Sequence, residues 1–104
     1  MDSKKTISEI IEERKDQFIK FLEQALPKDK QTITLELKAK SPVELVMFFK
    51  VFIIPNVNKI DEVIDAMLKK TDINRSEMKN EDLVKLKSYL LIFCEFMGKI
   101  AVQF

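Results

Sequence analysis

The chain has 104 residues, 46% of them hydrophobic and 34% charged, with 18 basic against 17 acidic side chains and a formal charge of +1. It carries one Gly, three Pro, one Cys, no Trp and no His. One glycine argues against a phosphate-cradling loop or a dinucleotide-binding turn. The missing histidine removes the commonest general base and metal ligand, and a lone cysteine excludes an intrachain disulfide or a thiolate zinc site.

These numbers predict a single globular domain over residues 1–104, mainly helical, with about four helices and one or two short strands around a bundle-like core. The near-neutral charge gives no bulk attraction to nucleic acid or lipid. The polar start, Met1-Asp2-Ser3-Lys4-Lys5, is not followed by the apolar stretch of a signal peptide. The run Leu45–Ile54 is too short to span a bilayer. A free thiol fits a reducing cytoplasm. Sixteen lysines against two arginines, with twelve isoleucines, point to an AT-rich coding genome of bacterial or phage type.

Residues 7–26 carry Ile7, Ile10, Ile11, Phe18, Phe21, Leu22, Ala25 and Leu26 at helical spacing. Ser3 or Thr6 can cap this helix, and Pro27 closes it. Over Thr32–Lys40 the period changes. Ile33, Leu35, Leu37 and Ala39 alternate with polar neighbours, which predicts a half-buried strand against the helix preference of Leu, Glu, Lys and Ala. Such a strand needs a partner for its backbone: residues 99–104, its own copy, or a strand from another protein.

Ser41-Pro42-Val43-Glu44 reads as a capping box with proline at the first helical position. The helix that follows to Ile54 has only Glu44 and Lys50 as charges, so nearly every face is apolar. Pro55 and Asn56 end it. Asn58 is the expected cap of a third helix, with Asp61 and Glu62 in its first turn and Lys69 and Lys70 in its last. The last helix starts at Asn80. Leu83, Leu86, Leu90, Phe93, Met97, Ile100 and Phe104 follow steps of 3 and 4, a heptad seam. Gly98 allows two readings, a helix stop followed by a strand at 99–104 or a continued helix, and the heptad favours the helix.

Chemistry finds little support in these residues. Cys94 lies in an apolar segment with no histidine to activate it. The carboxylate pairs Glu12-Glu13, Asp61-Glu62 and Glu81-Asp82 fit first helical turns or a wet face better than an acid/base site. The expectation is a protein that is not an enzyme and takes no cofactor, metal or small-molecule substrate. Two functions remain. The first is a protein–protein interaction module (an adaptor, assembly chaperone or inhibitor of accessory type) that also forms a homo-oligomer, with Leu45, Phe48, Phe49, Phe52, Leu90, Phe93, Phe96 and Met97 as interface candidates. The alternative for these side chains is ordinary core. The second function is a nucleic-acid-binding regulator using Lys28, Lys30, Lys38 and Lys40, since region 28–59 holds six lysines against three acids. Three acids in the segment after Asn58 argue against a recognition helix there.

Overall fold

A computed structural model describes residues 5–101. Every regular element in it is helical: α1 (Ile7–Ala25), α2 (Thr32–Ala39), α3 (Pro42–Phe48), α4 (Ile60–Lys70) and α5 (Asn80–Ala101). A π turn (Phe49–Ile53) and a 3-10 turn (Ile54–Lys59) join α3 to α4, and a second 3-10 turn (Arg75–Glu77) precedes α5.

The mainly helical expectation holds, and the strand over Thr32–Lys40 is corrected: the segment is α2. The helix buries Ile33, Thr34 and Leu37 and leaves Leu35 63% exposed. Leu, Glu, Lys and Ala, all good helix formers, outweigh the alternation. Gln31 holds the start in place, its Nε2 donating to the carbonyls of Leu26 and Pro27, both at 3.1 Å. The Thr34 hydroxyl donates back to the Gln31 carbonyl at 2.6 Å. A helix satisfies its own backbone groups, so α2 needs no paired strand.

The caps of the first and third helices stand as expected. Thr6 accepts from the Glu9 N–H and Glu9 from the Thr6 N–H. Ser41 and Glu44 do the same for α3. Leu26, before Pro27, is extended at φ −98° and ψ 150° and ends α1. The alternative cap Ser3 lies outside the described residues.

Pro55 and Asn56 end the helix that begins at Pro42, as expected, and Pro55 also changes the pitch of its last turn. Proline has no N–H to give to Val51, so the ladder widens and the Ile54 N–H reaches back five residues to the Phe49 carbonyl. Asn56 kinks away from helical geometry at φ −110° and ψ 17°. Its Nδ2 donates to the Phe52 carbonyl at 2.8 Å, the acceptor its own N–H would use in a continuous α-helix. α4 then begins at Ile60 with Lys59 as N-cap and no side-chain cap bond, so Asn58 does not cap it.

The core runs through all five helices. α1 contributes Ile11, Phe18, Ile19 and Leu22, and α5 contributes Leu86, Leu90, Phe93, Cys94, Met97, Ile100 and Ala101. Phe93 sits between Phe49 and Phe18, with ring centroids 5.0 and 5.9 Å away. Burying each such side chain contributes about 1.5–3 kcal/mol. α5 passes straight through Gly98 to Ala101, as the heptad predicts. Val102–Phe104 lie outside the described residues. Two polar side chains tie α2 into the bundle. Thr71 at the C-cap of α4 donates to the Lys30 carbonyl at 2.8 Å and accepts from the Thr32 N–H at 3.2 Å. Lys15 of α1 donates to the Lys40 carbonyl at 2.9 Å. Among the described residues no helix is long and apolar enough to cross a membrane.

Candidate functional site

The eight candidate interface residues separate by burial. Leu45, Phe49, Leu90, Phe93 and Met97 are at most 4% exposed and form the core. These five are structural, because α3 and α5 face each other and use their apolar stripes on one another. Phe48 and Phe96 are half-buried. The guanidinium of Arg14 lies 4.3 Å from the Phe96 ring centroid and covers it from α1. Phe52 alone of the eight is well exposed, at 61%.

Phe52 stands at the mouth of a groove of about 560 Å³ between α2, the π turn and α4. Ile33, Phe48, Ile53, Val63, Ala66 and Met67 supply its apolar lining, and Asn56, Lys59, Glu62 and Lys70 its polar edge. The kink at Asn56 makes this space, since a straight helix would carry residues 54–59 onward instead of folding α4 back beside the π turn. Phe48 and Phe52 meet at 5.6 Å between centroids and form one aromatic wall. Lys40 places its ammonium 4.9 Å above the Phe48 ring at the outer side.

Beside the groove lies a second apolar strip that sequence reasoning missed. Val43, Met47 and Val51 are 53%, 42% and 54% exposed. Four residues overshoot an α turn slightly and fall short of a π turn, so the pitch change keeps Val51 above Met47. The signal for this strip was in the sequence: Glu44 and Lys50, the only charges of the helix, mark which side faces water, and Val43, Met47 and Val51 share that side. Further exposed apolar side chains are Val57 on the 3-10 turn and Val84, Leu91 and Ile92 on α5.

The lysines proposed for nucleic acid are partly engaged. Lys30 pairs with Glu77 at 3.5 Å and Lys38 with Glu23 at 2.7 Å. Lys40 covers Phe48, while Lys28 is exposed. The acids of α4 serve the fold: Arg75 bridges Asp61 and Asp65, and Lys87 of α5 reaches Asp61 at 3.5 Å. Hydrogen bonding to Asp65 raises the already high pKa of Arg75 further. Cys94 is buried, and burial pushes its thiol pKa up, away from a reactive thiolate. Among the described residues no group of three or more His, Cys, Asp or Glu is placed to hold a metal ion.

No protein-family model, curated protein or solved structure matches this chain.

Proposed function

We propose that the chain is a non-enzymatic protein-interaction module that docks partners on the outer side of α3 and its π turn. The exposed ring of Phe52 beside an apolar groove carries this reading. A half-exposed aromatic wall with polar edges is the arrangement that takes an apolar anchor from another protein. The strip Val43, Met47 and Val51 adds three more exposed apolar side chains to the same helix. An adaptor, assembly chaperone or inhibitor would use such a surface. Nucleic-acid binding through Lys28, Lys30, Lys38 and Lys40 is the weaker proposal, because Glu77 and Glu23 already neutralise two of the four.

The test is a photo-crosslinking phenylalanine analogue at position 52, irradiated in the cells that express the chain, with adducts identified by mass. Discrete protein adducts, absent from a probe at exposed Lys20 on α1 and displaced when Val63 is replaced by Glu, support the docking surface. A position-52 probe that yields no more adducts than the Lys20 control overturns it.

A further inference from the structure

The seam between α1 and α5 holds a recess of its own, apart from the groove beside Phe52. The two helices run in opposite directions, since Arg14 meets Phe96, Phe18 meets Phe93 and Phe21 meets Tyr89. Two of these contacts bridge the seam near the surface: the Arg14 guanidinium over the Phe96 ring, and the Phe21 ring stacked on Tyr89 at 5.0 Å between centroids. Between the bridges Gln17 and Ile92 both stay exposed, Ile92 at 58%. There a recess of about 240 Å³ opens, lined by Arg14, Gln17, Tyr89, Ile92 and Phe93. None of these five lines the groove beside Phe52.

The chemistry of the recess is one-sided. No lining side chain is acidic, and Arg14, Gln17 and Tyr89 all carry N–H or O–H donors. Among the described residues no carboxylate lies within ion-pair distance of the Arg14 guanidinium: Glu12 pairs with Lys15 at 3.0 Å, Glu13 with Lys5, and Glu95 with Lys99 at 3.9 Å. Asp16, two residues on, projects from the other side of α1. A guanidinium held over a ring by its charge keeps its N–H edges for a planar partner. The Tyr89 ring is fixed between Phe18 and Phe21, so the site needs little rearrangement to bind. We infer that this recess binds a small aromatic carboxylate, with its ring against Ile92, Phe93 and Tyr89 and its carboxylate on Arg14. The Gln17 amide and the Tyr89 hydroxyl supply further donors. One cation answers one negative charge, and the guanidinium fork fits a planar carboxylate. A phosphate dianion would call for a second cation that the lining lacks. The volume falls short of the roughly 300–1,000 Å³ of drug-sized sites, which suits a single ring rather than an extended chain. This site is independent of docking at Phe52, and either reading can fail without the other.

Titration of the isotope-labelled intact chain with benzoate, followed by NMR, tests the site. Saturable shifts are expected at residues 14, 17, 89, 92 and 93, with a dissociation constant of roughly 0.1–1 mM for so small a ligand. Benzamide, which keeps the ring without the charge, and acetate, which keeps the charge without the ring, should each bind at least about tenfold more weakly. Inorganic phosphate should do the same. Arg14→Gln should weaken benzoate at least about tenfold, and Arg14→Lys should fall between, since it keeps the charge and loses the fork. Arg14 also covers Phe96, so a second variant is needed that leaves that contact in place. Ile92→Glu, at an exposed position, sets a carboxylate at the rim and should abolish binding. Lys38→Gln on α2 should change nothing, which separates the recess from general attraction to lysines. The site is overturned if about 20 mM benzoate, far above the expected dissociation constant, moves no resonance of the recess. It is overturned equally if the shifts persist undiminished in Arg14→Gln and Ile92→Glu, or if benzamide binds as well as benzoate. A tripeptide ending in phenylalanine that binds at least about tenfold more tightly than benzoate would give the recess to a peptide C-terminus and overturn the small-acid assignment.

Discussion

The ammonium of Lys15 on α1 donates a 2.9 Å hydrogen bond to the carbonyl of Lys40, the residue that caps α2. Lys15 is only 5% exposed, and its carboxylate partner Glu12 sits 3.0 Å away in the preceding turn. A nearly enclosed lysine is retained here because it satisfies the end of a short helix that has no capping side chain of its own at its start.

Lys15→Met should therefore cost stability while keeping the aliphatic stem. It leaves the Lys40 carbonyl without its donor, a loss of about 1–3 kcal/mol. For a chain of this size that corresponds to a melting-temperature drop of roughly 4–8 °C per kcal/mol. Urea titration gives the difference directly. An unchanged midpoint in Lys15→Met would mean that water replaces the ammonium without penalty.

Two phenylalanines three residues apart should behave in opposite ways. Phe49 is 1% exposed and packs against Phe93 with the rings tilted at 37°, so Phe49→Ala is expected to lose about 3–5 kcal/mol. Phe52 is 61% exposed, and Phe52→Ala should stay within about 0.5 kcal/mol of the wild type. Phe52→Ala should instead weaken partner capture. Equal losses of stability in both variants would place Phe52 in the core and remove it from the docking surface.

The same contrast explains what the sequence reveals and what it hides. The cap at Thr6, the capping box of Ser41 and Glu44 and the α1 stop at Pro27 are readable because each depends on residues within four positions. The strand expectation for residues 32–40 failed on an ambiguity of spacing. Ile33 and Leu37 are two strand repeats apart and also one helical turn apart, so Leu35 and Ala39 separate the two periods, and both face solvent. The heptad of α5 is right as a helix. Whether Leu90, Phe93 and Met97 meet α3 or another protein depends on tertiary packing that composition does not encode. The groove was hidden for a related reason. It exists because the kink at Asn56 turns α4 back beside the π turn, and helical periodicity alone gives no angle for that turn.

The capping glutamates set an acid limit on stability. Glu9, Glu44 and Glu77 each accept from the backbone N–H of Thr6, Ser41 and Asn74, respectively, and these bonds hold all three carboxyls below their ordinary pKa. A carboxyl that is more acidic in the folded chain contributes stability in full above its unfolded value, about 4.3, and loses it as pH falls through the lower folded value. Urea midpoints should hold steady down to about that pH and then decline. Replacing all three with Gln keeps an acceptor at each site but removes the titration. The variant should start from lower stability at neutral pH and decline less steeply in acid. An acid slope equal to the wild type's would assign the loss to other carboxylates.

Glycine is absent where this backbone would favour it and present where the backbone does not need it. α4 ends with the Asp72 N–H on the Lys69 carbonyl and the Ile73 N–H on the Leu68 carbonyl, a closing pattern that puts Asp72 in the left-handed region at φ 58°. Ile73 then turns inward and is 4% exposed. The chain's single glycine, Gly98, lies inside α5, where an added Cβ would meet nothing within 4 Å. Gly98→Ala should stabilise the fold by about 0.5–1 kcal/mol through lower entropy of the unfolded chain. Asp72→Val should lose about 1–2 kcal/mol, because a branched side chain resists positive φ more than aspartate does. Asp72→Gly relieves that conflict at the cost of unfolded-state freedom and should fall between the two. Thermal melts of the three variants give the order Gly98→Ala, Asp72→Gly, Asp72→Val from most to least stable. A Gly98→Ala chain less stable than the wild type would contradict the open surface around that position, since the methyl group gains helix propensity only where nothing resists it.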